Sequence, residues 1–223
     1  PLTGAPNQAT FFLMIPNVET SLPDLDWKPG VTSRVPFRLY QDEDVRAVEQ
    51  KRLFQGPVWQ FLCLSGEVPN PGDYKTTYAG ETPVIVTRSE DGAINAMKTR
   101  CVHKGALVCL DDRGSVKELT CVYHNWLYSL KGELTSVAFR NGVKGQGGMP
   151  DDFDMTAHRL RPMRVAERAG LVFGTFAEDA PTLEAYMGTE IVDRLERVLN
   201  RPLKILGYHS QYLNNNWKLY VEN

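Results

Sequence analysis

Two short loops constrain this chain more than anything else in it: Cys101-Val-His103 and, after seventeen intervening residues, Cys121-Val-Tyr-His124. Each offers one thiol and one imidazole. A binuclear iron–sulfur centre with chemically distinct ends needs that set, two thiolates on one iron and two imidazoles on the other. Neutral imidazoles leave less negative charge around their iron than thiolates do, so such a centre accepts an electron more readily than an all-thiolate one. A structural zinc site is the rival, because it too can use two Cys and two His. Zinc fingers usually pair like with like, whereas each loop here mixes the types. The flanks His103-Lys-Gly105-Ala-Leu107 and Tyr123-His124-Asn125-Trp126-Leu127-Tyr128 argue against coincidence. Gly105 permits a tight turn beside a metal, and the aromatics can shield it from water.

At 223 residues the chain can bury a core as one large domain or two smaller ones. A net charge of −2 with no strongly basic stretch argues against nucleic acid as a partner. The apolar run Phe11-Phe-Leu-Met-Ile15 is far too short to cross a bilayer, and no basic residue precedes it. Neither a membrane span nor a secretory signal is therefore expected, and the expected location is cytoplasmic. Of four cysteines, Cys101 and Cys121 belong to the loops, while Cys63 and Cys109 read as small buried residues. A Cys63–Cys109 disulfide is open by counting and disfavoured in a reducing compartment.

Five prolines and little periodicity mark residues 1–35 as an irregular arm. Segment 42–55 has helical spacing, with Val45, Val48, Leu53 and Phe54 near one face. Segments 59–64, 73–78, 82–88 and 93–98 read as strands separated by turn residues, and 117–120 leads into the second loop. A hairpin is predicted from 126–129 to 133–136 around Lys131-Gly132, and a buried strand at 169–174. This all-β unit would set both ligand pairs at the tips of adjacent hairpins, on a rigid scaffold. Beyond Pro181, apolar residues recur at helical spacing from Leu183 to Leu199; 204–213 then reads as a strand and 216–223 as an interrupted helix start. The expected division is 1–55, an arm and helix; 56–177, the β unit; and 178–223, the beginning of a further domain within which the chain stops.

The ligand loops, Gly132-Glu-Leu134 and Asn216-Trp-Lys218…Glu222-Asn223 resemble the large (alpha) subunit of Rieske non-haem iron aromatic ring-hydroxylating oxygenases, over about residues 35–223. The runs Cys121-Val-Tyr-His124, Gly142-Val-Lys-Gly-Gln-Gly-Gly-Met-Pro150 and Asn216-Trp-Lys-Leu-Tyr220 are most similar to terephthalate, salicylate and anthranilate oxygenases. The resemblance implies a mainly β fold: a Rieske-type iron–sulfur β-sandwich domain with an N-terminal helical arm, followed by the start of an α+β helix-grip catalytic domain. It implies a Rieske 2Fe-2S cluster with Cys101 and Cys121 on one iron and His103 and His124 on the other. It further implies electrons supplied by a separate ferredoxin or reductase, and a mononuclear Fe(II) in the neighbouring subunit. There dioxygen is activated against an aromatic substrate, here an aromatic carboxylate. The expected assembly is a homo-oligomer, a trimer with or without a small beta subunit.

In that family the mononuclear iron is held by two His and one carboxylate placed after the Asn-Trp-Lys segment. No catalytic residue of that site is expected within this chain. His158 reads as a surface or hydrogen-bonding residue and His209 as packed in a strand; Asn223 corresponds to a position near the iron. A stand-alone Rieske electron carrier and a zinc-binding module are the alternatives. A carrier needs only the β unit, whereas here a helix, a strand and Asn216-Trp-Lys218 follow it.

Respiratory relatives have a disulfide beside the cluster and a serine hydroxyl bonding it. Ala106, Tyr123 and Trp126 stand at those positions here. Fewer donors predict a potential in the lower part of the roughly −150 to +300 mV Rieske range. The glycine-rich run at 142–148 lacks the ending of a phosphate loop and reads as a surface loop. Arg159, Arg161, Arg164 and Arg168 form a loose basic patch, either a solvated strand face or a dock for an acidic ferredoxin.

Overall fold

The computed structural model describes residues 23–28, 30 and 33–222. Most of the expected irregular arm, including the apolar run at 11–15, and Asn223 lie outside the described residues. Among the described residues there are ten strands. Seven of them, β1 (Gln60–Leu64), β2 (Asp73–Ala79), β3 (Thr82–Arg88), β4 (Ile94–Lys98), β5 (Arg113–Ser115), β9 (Pro162–Arg168) and β10 (Leu171–Thr175), make a curled antiparallel sheet in the order β1-β10-β9-β4-β3-β2-β5. The other three, β6 (Leu119–Thr120), β7 (Leu127–Tyr128) and β8 (Leu134–Ser136), form a small antiparallel sheet that carries the second loop.

The β-branched run in β3 shows why the sheet holds. Successive side chains point to opposite faces, and both faces are covered. Val84 and Val86 join a core with Leu62, Cys63, Val68, Met163 and Val172. Ile85 joins a second core with Met97, Cys101, Cys121, Trp126 and Tyr128. Each fully buried aliphatic side chain of this size contributes about 1.5–3 kcal/mol. Both loop cysteines are therefore members of the second core, and the site is rooted in the packed interior.

The helical segment differs from expectation in its second half. A short helix, α1 (Arg38–Gln41), precedes α2 (Glu43–Glu49), whose cap is Asp42: its carboxylate accepts from the backbone N–H of Asp44 at 2.9 Å and Val45 at 3.3 Å. The chain then widens into a π-helical turn, Gln50–Phe54. That turn sets Phe54 against the β2–β3 connection, where a Cβ on Gly80 would lie 2.5 Å from Phe54 Cγ.

The strand expected at 169–174 begins only at Leu171. Ala169 and Gly170 form the β9–β10 turn, both with positive φ (52° and 80°), the backbone that matches the twist of a tight hairpin. β5 is not apparent in the sequence, because Arg113-Gly114-Ser115 has no apolar alternation; Gly114 lies under Tyr74. The long helix at 183–199 is broken by Gly188 at φ 75° into α3 (Leu183–Met187) and α4 (Thr189–Val198). Segment 204–213, expected as a strand, belongs to no ladder among the described residues, and His209, expected to be packed, is exposed within it. Asn216 caps α5 (Trp217–Val221), as its position predicts. All four cysteines are free thiols, so no Cys63–Cys109 bridge forms.

Candidate metal centre

The two loops share one backbone design. Cys101 N–H donates to Ala106 O (2.8 Å) and Gly105 N–H returns to Cys101 O (2.9 Å); Cys121 N–H donates to Trp126 O (2.9 Å) and Asn125 N–H to Cys121 O (3.0 Å). Each loop is closed by an antiparallel pair, Arg100 with Leu107 and Thr120 with Leu127. Each turns through a left-handed residue four positions after its cysteine, Gly105 at φ 76° and Asn125 at φ 53°. Glycine adopts that conformation freely and asparagine tolerates it better than most residues.

The cysteines face inward and the histidines outward. Cys101 and Cys121 are 3% and 1% exposed, whereas His103 is half-buried and His124 exposed. The imidazole rings lie side by side, centroids 4.7 Å apart at 59°. Among the described residues no three His, Cys, Asp or Glu side chains group closely enough to hold a single metal ion. The thiols of Cys101 and Cys121 are neighbours and so are the two imidazoles, a donor set of the kind that a two-iron rhomb takes.

A further observation fits that group. His103 Nδ1 is buried and has no hydrogen-bond partner. An orphaned buried polar atom is costly in a folded protein, and a metal bond satisfies it. Burial, aided by His124 and Lys104, pushes the His103 pKa down and favours the neutral imidazole that ligates. Burial pushes the Cys101 thiol up, against opposing hydrogen bonds from Tyr128 and the His103 backbone; the adjacent Cys121 thiol adds to the rise. Buried in this way the Cys101 thiol resists ionising, and a ferric ion would favour its thiolate.

Two of the flanking aromatics do more than shield the site from water. The Tyr128 hydroxyl, fully buried, lies 3.1 Å from Cys101 Sγ. Burial, then contact with Cys101, raises its pKa, so it stays a donor. Trp126 stacks on His103, with centroids 4.7 Å apart and planes 5° from parallel. The strand alternation that turns both Trp126 and Tyr128 inward is the signal that points to them. Trp126 also meets Phe153 and His158 edge-on, and His158 Nδ1 lies 2.7 Å from Asp154 O, a hydrogen-bonding role as expected.

The basic patch is engaged internally. Arg159 donates to Lys131 O, Arg164 to the carbonyls of Glu178 and Ala180, and Arg168 pairs with Glu196, while Arg161 covers the Phe176 ring. The run at 142–148 is a turn whose four glycines, Gly142, Gly145, Gly147 and Gly148, all have positive φ. Among the described residues no helix is long and apolar enough to cross a membrane.

Residues 58–145 match the Rieske [2Fe-2S] domain family. Over 199 residues the chain is 49% identical to the terephthalate 1,2-dioxygenase terminal oxygenase component subunit alpha 2 of Comamonas sp, covering 89% of this chain and 48% of that one. Over 191 residues it is 47% identical to the anthranilate 1,2-dioxygenase large subunit of Burkholderia cepacia, covering 86% and 45%. In structure it is similar to naphthalene 1,2-dioxygenase from Rhodococcus sp. bound to indole, with TM-score 0.74 and 33% identity over 85% of this chain and 42% of that one. The chain thus spans just under half the length of the curated relatives it matches.

Proposed function

We propose that the chain, which matches the Rieske [2Fe-2S] domain over residues 58–145 and is similar to oxygenase large subunits, is the electron-receiving portion of an aromatic ring-hydroxylating oxygenase acting on an aromatic carboxylate. The observation that carries this reading is the buried thiol pair beneath an outward imidazole pair, at the tips of two matched loops. Cys101 and Cys121 would hold the inner iron of such a cluster, and His103 and His124 the outer one, the buried, unpartnered Nδ1 of His103 being free to bind. When bound, the cluster supplies a one-electron store at a potential set by its ligands and their donors.

The chain's own residues do the rest. Packing around Cys101, Cys121 and Trp126 excludes water from the sulfur end. Tyr128 directs its hydroxyl at Cys101 Sγ, a donor absent from the sequence-level count, and the potential stays in the lower part of the Rieske range because Trp126 offers the sulfides no hydroxyl. The exposed imidazole of His124 puts the nitrogen end beside solvent, where a ferredoxin or reductase can approach. The relatives named for terephthalate and anthranilate support the substrate class, since both compounds are aromatic carboxylates. A mononuclear iron outside this portion, a homo-oligomer (a trimer, with or without a small beta subunit) and the division at 1–55, 56–177 and 178–223 complete the reading. No catalytic residue of the mononuclear site is assigned here.

The test is spectroscopic and then catalytic. Anaerobically purified full-length protein should show paired visible bands, two irons and two sulfides per chain, and the reduced-state paramagnetic resonance signal of a His-ligated cluster. One zinc per chain and a colourless sample would overturn it. With a reductase, oxygen uptake should depend on an aromatic carboxylate; a cluster that cycles without any substrate-dependent uptake would point to a stand-alone carrier.

A further inference from the structure

The Asn216-Trp217-Lys218…Glu222 segment carries part of the family resemblance, and nothing proposed above uses it. In the structure its side chains converge on the N-terminal helices. Lys218 Nζ bonds Glu49 Oε1 at 2.7 Å, and the Trp217 indole N–H donates to the other Glu49 oxygen at 3.2 Å. Asn216 Nδ2 donates to Tyr40 O at 2.9 Å, and the Tyr40 hydroxyl donates to Glu222 Oε2 at 2.7 Å. The Phe54 ring meets Trp217 edge-on at 5.5 Å. Both charges of the Glu49–Lys218 pair are largely buried, each side chain 11% exposed. The ammonium also lies within cation–π range of the Tyr40 and Trp217 rings, 5.9 and 5.5 Å from their centroids.

The opposite side of the same helices grips the sheet. Gln50 Oε1 accepts from Glu81 N–H at 3.1 Å, Arg46 pairs with Glu81, and Gln60 Nε2 donates to Phe54 O at 2.7 Å. Phe54 fills the space that a side chain at Gly80 would take. The arm is thus a layer between the β2–β3 turn and α5.

We propose that Glu49 is a positioning residue: together with Tyr40 it clasps α5 to the arm and so fixes where the chain enters its second domain relative to the cluster-bearing sheet. This goes beyond the electron-receiving role and does not depend on it. Removing one partner of a buried pair leaves the other charge uncompensated, so the clasp is broken from either side. Exchanging the charges restores the ion pair, although a lysine at 49 cannot accept from the Trp217 indole N–H, so the clasp returns in part.

The experiment measures amide hydrogen exchange in the full-length protein carrying its cluster, for the parent, E49Q, K218M and the double variant E49K/K218E. Exchange over 216–222 should rise by about tenfold or more in E49Q, and likewise in K218M. Amides of β3 and β4 and the visible spectrum should stay parental, and the double variant should regain part of the protection. Parental protection at 216–222 in the single variants, or no recovery in the double variant, would overturn the clasp. Should E49Q fail to fold, K218M and the double variant decide alone. A parent without a cluster would sink the proposed function and leave this readout intact.

Discussion

The loop at 101–106 and the loop at 121–126 are near copies in backbone and opposites in what supports them. Each closes on an antiparallel pair, buries its cysteine and turns through a left-handed fourth residue. The second sits on a hairpin whose residues Trp126 and Tyr128 reach across to the first, stacking on His103 and approaching Cys101 Sγ. The first gives no such side chain back; its own brace is Arg100, which donates to Gly105 O at 2.9 Å. Equal ligand duty can therefore coexist with unequal structural duty. The second hairpin is the scaffold, and the first loop is the part that it positions.

The comparison breaks most sharply at the ligands, where the loops should be indistinguishable. Cys101→Ala and Cys121→Ala should each abolish the binuclear cluster, read as loss of visible absorbance and of iron, because either change leaves the inner iron with one thiolate. A variant that retained a full complement of iron would remove that cysteine from the ligand set.

Below the ligands the loops should diverge. Trp126→Ala empties a buried aromatic site, 3% exposed, and large aromatic-to-alanine changes in cores cost about 3–5 kcal/mol. Its second consequence belongs to the other loop: His103 loses the ring that fixes its plane, so the resonance signal of any cluster that still loads should broaden. An unchanged signal in a loaded, destabilised variant would confine Trp126 to packing. The left-handed positions give a gentler pair. Gly105→Ala should cost about 1–2 kcal/mol, the penalty of placing a Cβ in that conformation, and Asn125→Ala less, because Asn125 already carries a Cβ and loses only its better tolerance of that backbone, both measured by denaturant unfolding. No atom lies within 4 Å of a Cβ built at Gly105, so its cost is backbone strain alone. Asn125→Gly should be neutral or slightly stabilising.

What the sequence reveals, and what it hides, follows the range of the interaction. The four ligand candidates are legible because their chemistry is written in adjacent residues, and β1 to β4 because β-branched runs and turn residues are local signals. The helix starts at 42 and 216 are legible for the same reason, and the structure adds that Asp42 and Asn216 cap them. Gly188 also carries a local signal, yet a continuous apolar period from Leu183 to Leu199 masks it. The errors come where a partner decides. Segment 204–213 has strand-like composition, and a strand also requires an edge to pair with; without that pairing Leu206, His209 and Tyr212 stay exposed. The π-helical turn at Gln50–Phe54 answers to Gly80 and Trp217, distant in sequence, and no helical periodicity announces it.

Tyr128 is the most instructive of the hidden residues, and its removal is the finest test of one hairpin supporting the other. Tyr128→Phe keeps the buried ring and deletes only the hydroxyl at 3.1 Å from Cys101 Sγ, so stability should change little. A donor to a ligating thiolate binds more strongly when the cluster carries the extra electron, so losing it disfavours reduction. If the difference between the two redox states is about 1 kcal/mol, less than the roughly 1.5–3 kcal/mol of a whole hydrogen bond to a charged group, the potential falls by about 40 mV for one electron. A redox titration of parent and variant under identical conditions reads that shift directly. A potential unmoved by the substitution would mean that the second hairpin supports the first by shape alone, through Trp126. A fall that appears only together with lost iron would mean that the hydroxyl serves assembly, and that the potential is set elsewhere.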